Sequence, residues 1–128
     1  MQPKSFNTTK VPRSNMVIPQ ASIAGNVIYV SGTTGVDPST GKLIEGEFEE
    51  QIRQAFKNIQ TILEEAGSAL NKIAKVTVWM VSGEDHSFTA INKVYTEFFP
   101  ENPPARSAPQ VMPFPGGILV SVECVAMV

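Results

Sequence analysis

Ile118-Leu119-Val120-Ser121-Val122-Glu123-Cys124-Val125-Ala126-Met127-Val128 ends the chain, and its alternation decides the fold. On a strand, residues two apart share a face. Ile118, Val120, Val122 and Cys124 therefore point one way, and Leu119, Val125 and Met127 the other, with Ser121 and Glu123 among them. Both faces are apolar, so both need cover. The chain offers two helical stripes for this. The first runs over Phe48 to Ala66, where Phe48, Ile52, Ala55, Phe56, Ile59, Leu63 and Ala66 recur at helical spacing. Glu45, Glu47, Glu49 and Glu50 crowd its start, where the macrodipole favours anions, and Gly67 stands where a left-handed cap would end it. Glu49, Arg53, Lys57 and Glu64 make its other side polar. The second stripe runs from about Ser87 to Phe99 on Phe88, Ile91, Tyr95 and Phe98, and Pro100, Pro103 and Pro104 stop it. Two helices cover one face of a sheet. The other face is then most simply covered by a further copy of the chain, which predicts an oligomer.

The segments between read as strands and turns. Ser22 to Gly32 holds two short apolar runs joined at Gly25-Asn26, a hairpin signal. Asp37-Pro38-Ser39-Thr40-Gly41 is a turn, with Pro setting φ early and Gly closing it. Ile73 to Val81 is rich in β-branched residues and predicts a strand. Ala105 to Met112 is extended, Pro113 to Gly117 turns, and Ile118 to Val128 is the closing strand. The order of elements predicts one α+β domain over residues 1–128, with both helices on one face of a mixed sheet.

Composition bounds the function. With 128 residues, 42% apolar and 17% charged, the chain can bury a core and is not a disordered segment. A net charge of −2 weighs against a nucleic-acid partner. The single cysteine, Cys124, excludes an internal disulfide framework, and with the single histidine, His86, it leaves no Cys- or His-rich metal site. No apolar run is long enough for a signal peptide or a membrane span, so the expected compartment is the cytoplasm.

Between Asn102 and Val128 only Arg106 and Glu123 are charged, each in an uncharged, Pro- or Val-rich neighbourhood. A charge in such a setting is either paired or used. Two readings stand: a structural ion pair between them, or a guanidinium free to hold a carboxylate in a two-pronged grip. Ser31-Gly32 follows a strand and is either an ordinary strand end or a source of a hydroxyl and N–H groups for the same pocket. Asn92 either faces solvent or reaches a pocket at the sheet edge. Cys124 reads as an inert core thiol, and His86 as a surface or capping residue. Ser31 to Gly35 lacks the Lys and the spacing of a phosphate-binding loop.

The stretch Pro104-Ala105-Arg106-Ser107, the turn with Pro115 and Gly116-Gly117, and Val120 to Ala126 resemble the signature of the RidA/YjgF family. Gln20-Ala21 with Val27 to Gly32, the Asp37–Gly41 turn and the two helices resemble its other segments. The resemblance implies a chorismate-mutase-like α+β fold with a mixed six-stranded sheet, and a homotrimer with sites in the clefts between subunits. It implies hydrolysis of reactive 2-imino or enamine acids to 2-keto acids and ammonia, with no metal and no cofactor. By the same resemblance Arg106 binds the substrate carboxylate. Ser31, Gly32 and Asn92 line the pocket, and the backbone around Ala108 supplies a carbonyl that helps hold the attacking water. Two positions depart from the pattern. Ile18 stands where such proteins carry a pocket tyrosine, and Ser121 where they carry the glutamate that activates water. Glu123 matches a second glutamate, on the same face and roughly 7 Å along the strand. The alternative is a non-catalytic trimer that binds small carboxylate metabolites through Arg106, and the third reading is an endoribonuclease.

Overall fold

The computed structural model describes residues 2–13 and 15–128. Its central strand is β7 (Val120–Met127), which lies antiparallel between β3 (Val27–Thr33) and β4 (Ile73–Val81). β2 (Ala21–Ala24) forms the predicted hairpin with β3, and Gly25 takes the left-handed conformation (φ 61°) that the tight turn requires. β1 (Lys4–Phe6) pairs with β2 at one edge. At the other edge β5 (Ala105–Ser107) and β6 (Gln110–Val111) both run parallel to β4. The sheet is therefore mixed and open, and it has seven strands, not six. Two features account for the difference. Lys4-Ser5-Phe6 is too short to show an alternation. The extended stretch from Ala105 to Met112 divides at Ala108-Pro109, where the ladder to β4 breaks; Pro109 has no N–H to give it.

Both helices pack on one face, as the periodicity requires. α1 (Phe48–Glu65) buries Ile52, Ala55, Phe56, Ile59 and Leu63 in one core with Ile28, Val76, Val78, Val120 and Val122. Its start is tied by the Glu47 N–H, which donates to Glu50 Oε1 at 2.7 Å. Its end is a Schellman turn: Ser68 N–H donates to Leu63 O at 2.7 Å, Gly67 N–H to Glu64 O at 3.2 Å, and Gly67 has φ 87°. α2 (Thr89–Phe98) lies beside α1 through aromatic rings. The Phe56 ring centroid is 6.2 Å from Tyr95 and 5.6 Å from Phe99, both edge-on. α2 begins two residues later than the spacing predicts. Phe88 adopts φ 59°, and the buried Asp85 carboxylate accepts the N–H groups of Ala90 (3.1 Å) and Ile91 (2.9 Å), so Asp85 serves as the cap from outside the helix.

The opposite face of the sheet carries no helix. Tyr29, Trp79 and Met127 stand on it at 50%, 36% and 40% exposure, around the half-buried Ser121, Glu123 and Val125. The two-sided apolar character of β7 is thus present, with one side packed and one side open. Among the described residues no helix is long and apolar enough to cross a membrane.

Candidate active site

Arg106 lies on the edge strand β5, opposite Val76 of β4. Val76 faces the helices, and the Arg106 side chain goes the same way, over α2. Its guanidinium carbon is 4.8 Å from the Tyr95 ring centroid and 6.0 Å from that of Phe88. Arg106 makes no ion pair or hydrogen bond among the described residues; the salt bridges join Lys10 to Glu65, Arg53 to Glu49 and Glu97, and Lys93 to Glu49. Tyr95 is fixed beneath it by its hydroxyl, which donates to Pro104 O at 2.6 Å. Burial pushes the Tyr95 phenol up to about 12, against the pull of the Arg106 charge, so the ring stays neutral. A cation held flat on rings keeps its N–H edge available for a planar anion.

Asn92 is exposed on α2, four residues after Phe88 and three before Tyr95, on the stripe that carries both rings under Arg106. It faces solvent, on the Arg106 side. Ala108 sits in the break between β5 and β6, half-buried against the core.

Glu123 belongs to the other side of the sheet. Its Oε1 accepts the Trp79 indole N–H at 2.5 Å. Of the two readings open for Arg106 and Glu123, the ion pair does not form, because the two side chains leave the sheet on opposite faces. Ser121 is paired with Trp79 across the ladder and touches Gly32: a Cβ placed on Gly32 would lie 2.7 Å from Ser121 Oγ. Gly32 also sits where the β3–β7 register shifts, between Val30 and Thr33. Ser31 ties β3 to the preceding segment. Its hydroxyl donates to Pro19 O at 2.8 Å and its N–H to Gln20 O at 2.9 Å. Ser31, Gly32 and the exposed Ile18 line a cavity of about 240 Å³ between residues 11–13 and 18–20, β3 and α1.

The residues read from the sequence therefore fall into two groups within one chain. Ile18, Ser31, Gly32 and Ser121 cluster around β3 and β7, with Glu123 one pleat along. Arg106, Asn92 and Ala108 cluster at the β5 edge, with β4 between the groups.

Sequence reasoning passed over four side chains that shape these surroundings. Gln51 is buried and bridges Gly117 O (3.1 Å) and Leu119 N–H (2.9 Å), which fixes the entry to β7. Asn58 is buried and donates to Thr34 O (3.1 Å) and Val36 O (2.8 Å). Their signal is an amide inside the apolar stripe of a helix, beside Ile52 and Ile59. Asp85 gave none, because its partners are backbone N–H groups. Arg13 carries the same signal as Arg106, a lone charge between Pro12 and the uncharged stretch to Gln20. Cys124 is buried, and burial first, then the Glu123 charge, push its thiol up to about 12, so it is not a nucleophile. His86 is exposed. Among the described residues no three His, Cys, Asp or Glu side chains gather into a set that could hold a metal ion.

Residues 10–128 match the model of the family described as endoribonuclease L-PSP. A RutC family protein of Pyrococcus abyssi is 40% identical over 119 residues, covering 93% of this chain and 92% of that protein. The human 2-iminobutanoate/2-iminopropanoate deaminase is 37% identical over 122 residues, covering 95% and 88%. Among solved structures, RidA from an Antarctic Psychrobacter superposes with a TM-score of 0.89 at 37% identity, covering 98% of this chain and 99% of that one.

Proposed function

Because the chain belongs to the RidA/YjgF family, we propose that it hydrolyses reactive 2-imino and enamine acids to 2-keto acids and ammonia. The observation that carries this reading is the Arg106 guanidinium, cationic, laid over Tyr95 and without a carboxylate among the described residues. The names of its mammalian relatives, 2-iminobutanoate/2-iminopropanoate deaminase, point to the same class of substrate.

Arg106 binds the substrate carboxylate, which places C2 at a fixed distance from the edge of the sheet. An enamine first takes a proton at C3 and becomes the imine. The water oxygen then adds to C2, and the C=N π pair moves onto nitrogen with a proton. The resulting carbinolamine expels ammonia as its C–N bond breaks, and the hydroxyl gives up its proton to leave the keto acid. A protonated imine is already electrophilic, so the reaction needs neither a metal nor a cofactor. What the protein contributes is position. Ser121 and a backbone carbonyl near Ala108 orient the water, while Ser31, Gly32, Ile18 and Asn92 shape the pocket. Within one chain the guanidinium, at the β5 edge, and the Ser31–Gly32–Ser121 group, on β3 and β7, are separated by β4. The site therefore takes Arg106 from one subunit and that group from its neighbour, across the open face of a chorismate-mutase-like homotrimer. Serine is a poor base, so ~10²–10⁴-fold of proton-transfer catalysis is forgone.

The test is ammonia and keto-acid release from freshly generated 2-aminoacrylate. Acceleration above buffer that is lost in Arg106→Ala is expected. No acceleration, or an unchanged rate in that variant, rejects the reading. A second reading, a non-catalytic carboxylate binder, is favoured by Ser121, by Ile18 and by the Trp79 bond that occupies Glu123. Stabilisation by 2-keto acids without turnover would select it. An endoribonuclease is disfavoured by the net charge of −2; RNA cleavage that co-purifies with the protein and dies in Arg106→Ala would select that one.

A further inference from the structure

Among the described residues, the cavity beside Ser31 and Gly32 is lined by one cation, Arg13, and by no acidic residue. Four of its uncharged polar side chains already have partners. Gln20 Nε2 donates to Val11 O at 2.7 Å, Ser31 Oγ to Pro19 O, Thr33 Oγ1 to Ser31 O at 2.8 Å, and Asn58 Nδ2 to Thr34 O and Val36 O. Arg13 is different. One of its terminal nitrogens donates to Met16 O (3.1 Å) and Ile18 O (3.3 Å), which holds the guanidinium in place. Its Nε–H is buried and has no acceptor among the described residues. A buried, charged donor without a partner is costly, and the guanidinium that carries it lines the cavity with no carboxylate beside it among the described residues, so an anion held there would supply the missing counter-charge.

We propose that Arg13 is a second anion-holding group, so that the chain prefers 2-imino and 2-keto acids carrying a second carboxylate, which enters this cavity. The inference rests on the assignment of Arg106 to the first carboxylate. Ile18 makes the geometry possible: its own carbonyl orients the arginine, and its side chain adds an apolar wall but no competing donor. The two carboxylates of one ligand would then be read by two guanidinium groups, one at each end of the site. A monocarboxylate would use only Arg106 and leave Arg13 unpaired.

Calorimetric titration of the intact protein with 2-oxoglutarate and with 2-oxobutanoate tests this. The native protein is expected to bind the dicarboxylate about tenfold more tightly, the range of a charge-assisted hydrogen bond. Arg13→Ala should abolish that preference and leave 2-oxobutanoate binding unchanged, with Arg13→Lys, which keeps the charge, intermediate. Equal affinity for the two acids in the native protein, or equal loss of both in Arg13→Ala, overturns the proposal. If Arg13→Ala does not fold, Arg13→Lys against Arg13→Gln decides the same question: both retaining the full preference overturns it. Arg106→Ala reports separately on the underlying reading. Loss of both acids there supports it, and retained 2-oxobutanoate binding rejects it whatever the Arg13 variants do.

Discussion

Ser121 Oγ lies so close to Gly32 that a single added carbon at position 32 would meet it at 2.7 Å. The hydroxyl therefore stands at the wall of the proposed site, where the resemblance places an acid. Ser121→Glu restores a general base at that wall, and the turnover of 2-aminoacrylate should rise by about tenfold or more, part of the ~10²–10⁴-fold that such a group supplies. Steady-state ammonia release measures it, and an unchanged or lower rate with intact binding would show that Ser121 is not beside the water. Asp85 offers a residue-scale test of a different kind. Its carboxylate takes two N–H groups at the start of α2, and Asp85→Ala leaves both unsatisfied at a cost of about 1–2 kcal/mol. Denaturant unfolding should show that loss, and stability within 0.5 kcal/mol of the native protein, well below the loss expected for a cap, would contradict the capping role. Arg106 was legible in the sequence because a charge in an uncharged stretch must be explained. Arg13 obeys the same logic but stands beside Lys10 in a loop, and its buried Nε depends on carbonyls at positions 16 and 18 that no pattern announces.

Elements were legible where their periodicity was long. α1 and β4 carry sustained patterns of period 3.6 and 2, and their boundaries match the expected ones within a residue. The hairpin follows from Gly25, and the Schellman end of α1 from Gly67. β1 left no pattern in three residues, and the division of β5 from β6 falls at Pro109, whose missing N–H interrupts a stretch that otherwise reads as continuously extended. The two helices are also joined on their outer faces. Arg53 bonds Glu97 of α2 at 2.8 Å and Glu49 of its own helix at 2.9 Å, and both carboxyls are held below their ordinary value, first of all by those bonds to Arg53. A depressed folded-state pKa adds stability above the ordinary carboxylate value of 4.5, and the gain is lost as pH falls through the folded value. Arg53→Gln should therefore melt below the native protein at neutral pH, with the gap closing as pH falls below 4.5 and through the depressed folded-state values. Melting curves across that range check the sign; a gap that persists at low pH would mean that Arg53 acts through packing instead.

At the scale of the whole molecule, the open sheet face sets the question. Tyr29, Trp79 and Met127 are large, apolar and exposed on a face with no helix. The chain should sediment at three times its 13.9 kDa, and Val125→Glu, in the centre of that face, should give monomers of unchanged secondary structure with no deaminase activity. A native monomer that still turns over substrate would contradict an inter-subunit site. The separation of Arg106 from Ser31, Gly32 and Ser121 could not be read from spacing, because it depends on the order of the strands across the sheet. The most direct test of the account is a crystal structure of the native assembly soaked with 2-oxobutanoate. The predicted result is the acid's carboxylate on the Arg106 guanidinium of one subunit, with its keto carbon facing Ser31, Gly32 and Ser121 of the next. A keto acid bound elsewhere, or an Arg106 closed onto a carboxylate of its own chain, would contradict it.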